Sequence, residues 1–290
     1  MKPAPFKYVA AGSVDEALAS KAAHGADAWF LAGGQSLVPA LNFRLAQPAV
    51  LIDINGVAGT DGIALAGAEL RIGALTRYRA LQRDAAIARH CPLIAEALPH
   101  VAHPQIRNRG TIGGNLCHAD PASELPAIML ALGARMRLRS TKDERMLDAR
   151  AFFTGALSTA LKDDEMLVEI VLPIAGPRTG TSFLEVARRR GDFAIMGIAA
   201  ILTLADDGSC REARLAYCGA GDGPVLAANA ATTLVGTRVG EADLVNAANL
   251  ASQEVEPFGS IHASADYQRH VAGVLTQRAL KIAMARAGAS

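Results

Sequence analysis

The chain has 290 residues, 29 Lys/Arg against 28 Asp/Glu, and a formal charge of +1. That balance gives no reason to expect a nucleic-acid partner, which normally shows as clustered Lys/Arg and a raised pI, and 51% apolar with 4% aromatic residues is an ordinary composition for a soluble protein of mixed helix and sheet. Met1–Phe6 lacks the basic-then-apolar order of a secretory signal, and the longest apolar run, Ala194 to Ala205, is too short to span a bilayer, so the sequence predicts a cytoplasmic protein with no membrane span.

Phe6–Ala10 reads as a short strand. Ser13-Val14-Asp15-Glu16 is a capping box that predicts a helix to about Ala23, stopped by Gly25. Ala28-Trp29-Phe30-Leu31 is a strand running into a turn, Ala32-Gly33-Gly34-Gln35-Ser36, after which Leu37–Leu45 is helix-compatible. Val50–Ile54 is a buried strand closed by Asn55-Gly56. Ile63–Leu65 and Leu70–Ile72 suggest a hairpin, Thr76 caps a helix carrying Tyr78, Leu81 and Ile87, and Cys91–Val101 reads as a further helix. Polar residues 103–110 then deliver the chain to a second turn, Thr111-Ile112-Gly113-Gly114-Asn115. Pro121 and Ser123 introduce a helix from Glu124 to Leu132, stopped by Gly133, and strands follow at Ala134–Leu138 and Met166–Leu172. Ile174–Gly180 is linker-like; beyond it come strands at Thr181–Arg188, Ile195–Leu204 and Cys210–Cys218, with Asp207-Gly208 as a hairpin turn and helical pattern from Pro224 on.

The two Gly-Gly turns carry the functional reading. A Gly-Gly pair lets the backbone take positive φ and approach a bulky anion with no Cβ in the way, and successive amides in such a turn make an anion-binding concavity. Two such turns from distant parts of one domain suit a cofactor with two phosphates. Neither has the Walker A or dinucleotide glycine spacing. The cysteines, Cys91, Cys117, Cys210 and Cys218, show no Cys-x-x-Cys, so no cluster is expected on this chain. His100, His103 and His118 do not form a metal set, and no local nucleophile–base arrangement stands out.

Three stretches in order, Ala32-Gly33-Gly34-Gln35-Ser36-Leu37, Arg107–Leu116 and His118-Ala119-Asp120-Pro121-Ala122-Ser123-Glu124, together with Arg190-Gly191-Asp192-Phe193 and Ser260-Ile261-His262, resemble the FAD-binding medium subunit of molybdenum hydroxylases over essentially the whole chain. The resemblance implies an α+β fold: a two-subdomain FAD-binding domain over 1–176 (about 1–56 and 57–176), then a smaller antiparallel sheet-and-helix domain over 177–290. It places FAD against Leu31, Ala32, Gly33, Gly34, Gln35, Ser36, Leu37, Val101, Ala102, Thr111, Gly113, Gly114 and Asn115, with both turns holding the diphosphate through amides and Ser36 and Thr111 adding hydroxyls. Glu124 falls where the family has an acid on sugar hydroxyls, Leu167 where a backbone contacts the adenine end, and Phe193 where an aromatic covers the isoalloxazine. Glu185 stands where some relatives have Lys.

The resemblance further implies a heterotrimer, assembled as a dimer of heterotrimers. A large subunit carries the molybdopterin cofactor, a small one carries two [2Fe–2S] clusters, and this chain passes their electrons through FAD to an external acceptor. No residue here need be catalytic. The complex would be an N-heterocycle, aldehyde or CO-type hydroxylase. A stand-alone flavin oxidase or a cofactor-free assembly subunit are the competing readings; the former usually links flavin to a His or Cys near the first turn, and neither stands at 33–37.

Overall fold

The computed structural model describes residues 2–289. Its first sheet is parallel, built from β1 (Lys7–Ala10), α1 (Val14–His24), β2 (Ala28–Leu31), α2 (Leu37–Asn42) and β3 (Val50–Asp53), with strand order β1-β3-β2. Helix α1 starts where Ser13 Oγ accepts from the Glu16 amide at 3.1 Å. The reciprocal arm of the box goes one residue back, as Glu16 Oε2 accepts from Gly12 at 2.8 Å. Ala17 and Leu18 bury against Ala28, Val50 and Ile52. Each large aliphatic side chain so buried contributes about 1.5–3 kcal/mol.

The second unit runs β4 (Ile63–Ala66), β5 (Glu69–Gly73), α3 (Tyr78–Arg83), α4 (Ala85–His90), α5 (Pro92–Ala97), α6 (Pro104–Arg107), α7 (Ile112–His118), α8 (Glu124–Leu132), β6 (Arg135–Arg139), β7 (Glu144–Asp148), α9 (Ala149–Phe152), β8 (Phe153–Gly155), β9 (Ser158–Thr159) and β10 (Met166–Pro173). Five of its strands form an antiparallel sheet in the order β4-β5-β10-β6-β7, and β8 and β9 pair apart. The third unit is an antiparallel sheet of β11 (Thr179–Ala187), β12 (Ala194–Leu204), β13 (Cys210–Cys218) and β14 (Val225–Leu226), backed by α10 (Ala228–Thr232), α11 (Glu241–Glu254) and α12 (Ala265–Ala289). The fold is therefore α+β, as expected.

Helix α8 is apolar nearly all round because it lies between two layers. The core that holds Ile128 and Met129 also holds Phe183, Ala199, Ala216 and Cys218 of the third sheet. The opposite face of that sheet packs Ile198, Leu202 and Tyr217 against Leu275 and Ala279 of α12.

Some local expectations change. Thr76 does not cap a helix: its hydroxyl accepts from the Gly62 amide at 2.9 Å and donates to the Gly62 carbonyl at 3.0 Å. The helix expected through Ile87 is two, because the Asp84 carboxylate caps a new start, accepting from Ala86 and Ile87. The helix expected over Cys91–Val101 is regular only over Pro92–Ala97, and the polar stretch 103–110 holds the short α6. Among the described residues no helix is long and apolar enough to cross a membrane.

Candidate functional site

A cavity of about 690 Å³ opens between the β2–α2 turn, the second glycine turn, the start of β10 and the loop at 191–193. This lies within the roughly 300–1,000 Å³ of small-molecule sites. Ala32, Gly33, Gly34, Gln35, Ser36, Leu37, Val101, Ala102, Thr111, Gly113, Gly114, Asn115, Glu124, Leu167 and Phe193 all line it. Leu31 does not; it ends β2, and its carbonyl accepts from the Ile54 amide at 3.1 Å and from Asn55 Nδ2 at 3.3 Å.

The first turn is stretched open. Gly34 has φ +72°, a left-handed value that side chains rarely adopt. A Cβ on it would meet Val38 Cγ2 at 3.1 Å and Leu31 Cδ1 at 3.2 Å, so the glycine serves the turn's own geometry. A Cβ on Gly33 would stand 2.5 Å from the Arg109 carbonyl oxygen: the first turn rests directly on the chain entering the second. Gln35 steadies it by donating from Nε2 to the Gly33 carbonyl at 2.9 Å. The carbonyls of Gly34 and Ser36 accept from Val38 and Ala40, whereas none of the amides of residues 33–37 donates to another described residue. That leaves a run of consecutive donors in a cavity wall.

The second turn is the reverse. Thr111 caps α7, its hydroxyl accepting from the Gly114 amide at 3.1 Å and its carbonyl from Asn115 at 3.1 Å. Ile112 and Gly113 donate to the carbonyls of Thr76 at 3.0 Å and Ala74 at 2.8 Å. Both turns were expected to offer amide donors to an anion, but the amides of 112–115 are committed inside the protein. What this turn offers the cavity is the Thr111 hydroxyl hydrogen and the bare Cα of Gly114. Asn115 is held by reciprocal bonds with the Ser123 hydroxyl at 2.7 and 3.1 Å. Ser123 thus braces Asn115, and makes no side-chain cap for α8.

Glu124 is 6% exposed yet lines the cavity, and burial pushes its carboxyl up to about 7. A solvated helix-start acid would not sit so. Glu185 lies nearby on β11, its Oε2 buried without a partner and its Oε1 3.9 Å from His100 Nδ1. Burial first, and the Glu124 charge second, push Glu185 up to about 8. Phe193 lines the cavity at 70% exposure, so it is not a core residue. In the adjoining loop Arg188 and Arg189 pair with Asp192 at 3.3 and 3.1 Å.

The sequence reading missed Lys21, Tyr78 and the wall at 161–166. Lys21 is nearly buried, donating from Nζ to the carbonyls of Ala28 at 2.6 Å and Gly25 at 2.9 Å. A lysine at a buried position of α1 was the available signal. Cys117 is half-buried in the wall, and burial pushes its thiol up to about 12, so it is not a reactive thiolate.

Residues 4–175 match the family described as FAD binding domain in molybdopterin dehydrogenase, and residues 181–283 match CO dehydrogenase flavoprotein C-terminal domain. The chain is 40% identical to 6-hydroxypseudooxynicotine dehydrogenase complex subunit alpha of Paenarthrobacter nicotinovorans, covering 99% of this chain and 97% of that one. It is 41% identical to caffeine dehydrogenase subunit beta of Pseudomonas sp. (strain CBB1), covering 97% and 95%. A solved carbon monoxide dehydrogenase from Hydrogenophaga pseudoflava, described as lacking the Mo-pyranopterin moiety of its cofactor, superposes with TM-score 0.96 at 36% identity over 99% of both chains.

Proposed function

The chain belongs to the family of FAD-binding domains of molybdopterin dehydrogenases, and from that membership we propose that it is the FAD-carrying electron-transfer subunit of a heterotrimeric molybdenum hydroxylase. The observation that carries the reading is the run of unpartnered amides at 33–37 in the wall of the cavity. Oriented backbone donors of this kind hold phosphate oxygens without a basic side chain. The donor set fits FAD along its length. The amides and the Thr111 hydroxyl would hold the diphosphate, Glu124 would accept from sugar hydroxyls, the Leu167 backbone would contact the adenine end, and Phe193 would cover the ring system. Bound there, FAD supplies the one- and two-electron redox chemistry, and the protein positions it.

A large subunit with the molybdopterin cofactor and a small subunit with two [2Fe–2S] clusters complete the unit, in a cytoplasmic dimer of heterotrimers. Electrons enter from the small subunit and leave to an external acceptor. With the domains divided at about residue 176, the cavity would belong mainly to the N-terminal one, and Gly191–Phe193 would line it from the second. The relatives named for caffeine and for a nicotine derivative favour an N-heterocycle as the substrate of the complex. The substrate is oxidised on the large subunit, so this chain holds no catalytic acid or base.

The full chain, purified and acid-precipitated, tests this. Stoichiometric FAD in the supernatant is expected. Flavin staying with the pellet, or a chain that takes up none when FAD is supplied, contradicts it.

A further inference from the structure

One polar network outside the cavity joins the two glycine turns. Asn55, just past β3, donates from Nδ2 to the carbonyl of Ala32 at 2.8 Å and to that of Leu31 at 3.3 Å, which is the back of the first turn. Asn55 is itself aimed by Asp53, whose Oδ1 accepts from its Nδ2 at 2.6 Å and from its amide at 2.8 Å, while Asp53 Oδ2 accepts from the Tyr8 hydroxyl. The half-buried Arg77 closes the network. Its guanidinium donates from Nη2 to Asn55 Oδ1 and from Nη1 to the carbonyl of Arg109. The backbone around Arg77 pairs with that around Thr111, with Tyr78 donating to Gly110 at 3.1 Å and Ile112 to Thr76 at 3.0 Å. The Arg109 carbonyl is also the atom that leaves no room for a Cβ on Gly33.

We propose that Arg77 and Asn55 are positioning residues for the diphosphate cradle, locking the carbonyl side of the first turn to the chain entering the second and so fixing the amides of 33–37 toward the cavity. The inference rests on the assignment of the cavity to FAD. The Ala32 carbonyl shares one planar peptide with the Gly33 amide, so anchoring it sets the direction of the first open amide, from which the rest of the turn proceeds. The anchor crosses from the parallel-sheet unit to the next, which no local interaction of the turn can do. Arginine suits the job because its planar fork reaches two acceptors at once, and a lysine ammonium cannot reproduce that spread.

The test is a double-mutant cycle on FAD affinity, titrating flavin-free full-length chain. Arg77→Ala and Asn55→Ala are each expected to weaken FAD binding about tenfold, and the double variant no more than about threefold beyond the weaker single, because both break one linkage. Arg77→Lys should stay close to Arg77→Ala. Should Arg77→Ala fail to fold, the cycle runs with Arg77→Lys. Wild-type affinity in both singles overturns the proposal, as does a double variant whose loss is the product of the two, the signature of unrelated structural damage. A wild-type chain that binds no FAD removes the cofactor assignment and this inference with it; a wild-type chain that binds while the singles bind equally well removes only the inference.

Discussion

The segments at 32–37 and 111–115 carry the same Gly-Gly pair, the first ahead of a helix and the second within the first turn of one, and their amides have opposite fates. Those of 33–37 find no partner among the described residues, while those of 112–115 donate to Thr76, Ala74 and Thr111. The glycines differ too. Gly34 is needed for its own φ of +72°, whereas Gly113 is needed because a Cβ there would stand 2.6 Å from the Ala74 carbonyl oxygen. One turn keeps its amides unpartnered among the described residues, and the other commits its own inside the protein. Similar sequence does not imply similar work, because the partner of an amide is decided by what tertiary structure brings to it.

The largest effect should come from forcing the open turn shut. Gly34→Val puts a β-branched residue at a left-handed φ, strain of about 1–3 kcal/mol, and FAD should be lost on purification. Gly114→Ala displaces the Thr111 hydroxyl, 2.7 Å from the new Cβ, but leaves the open amides of the first turn in place, so it should lose less FAD than Gly34→Val. Equal flavin contents in the two variants would erase the contrast. Next in size, Thr111→Val removes the cap of α7 and should lower unfolding free energy by about 1 kcal/mol, with FAD affinity falling less than in Gly34→Val; denaturant melts and flavin titration read both.

Smaller still is a pH effect beside the wall. Glu185 is neutral in the folded protein up to about 8, against an ordinary 4.5. Between those values the native chain holds a proton that the unfolded chain releases, so its contribution to stability is full below pH 4.5 and is lost as pH rises through about 8. Glu124 acts the same way up to about 7. The flavin-free melting midpoint should therefore fall with rising pH, and Glu185→Gln should flatten the fall between pH 7 and 8; parallel curves would refute the shift. Smallest for binding is Phe193→Ala. This exposed side chain contributes little to the core, so FAD should remain while its absorption band shifts and its reoxidation rate changes. An unaltered spectrum and rate would remove Phe193 from the ring face.

Much of the fold was legible where local chemistry decides it. The Ser13 cap, the strand Ala28–Leu31, the hairpin of β4 and β5, and the stop at Gly133, with φ +64°, follow from residues within one turn of each other. Strand β7 was missed because Glu-Arg-Met-Leu-Asp alternates without a buried face, and the break at Asp84 because a cap inside an apolar pattern reads as one more helical residue. The motif residues singled out in the sequence, Leu31 excepted, come together in one cavity wall. Arg77, Asn55 and Lys21 were not singled out for the site, as each acts through carbonyls whose approach only the folded chain creates. The equivalence assigned to the two turns failed for the same reason: Ala74 and Thr76 lie far from Gly113 and Ile112 in sequence.

The difference between the turns can be read one amide at a time by hydrogen exchange of the full chain with and without FAD. The account predicts that amides 33–37 exchange freely in the flavin-free protein and become strongly protected when FAD binds, while amides 112–115 are protected in both states. Exchange at 33–37 that FAD leaves unchanged, or protection at 112–115 that appears only with FAD, would contradict it.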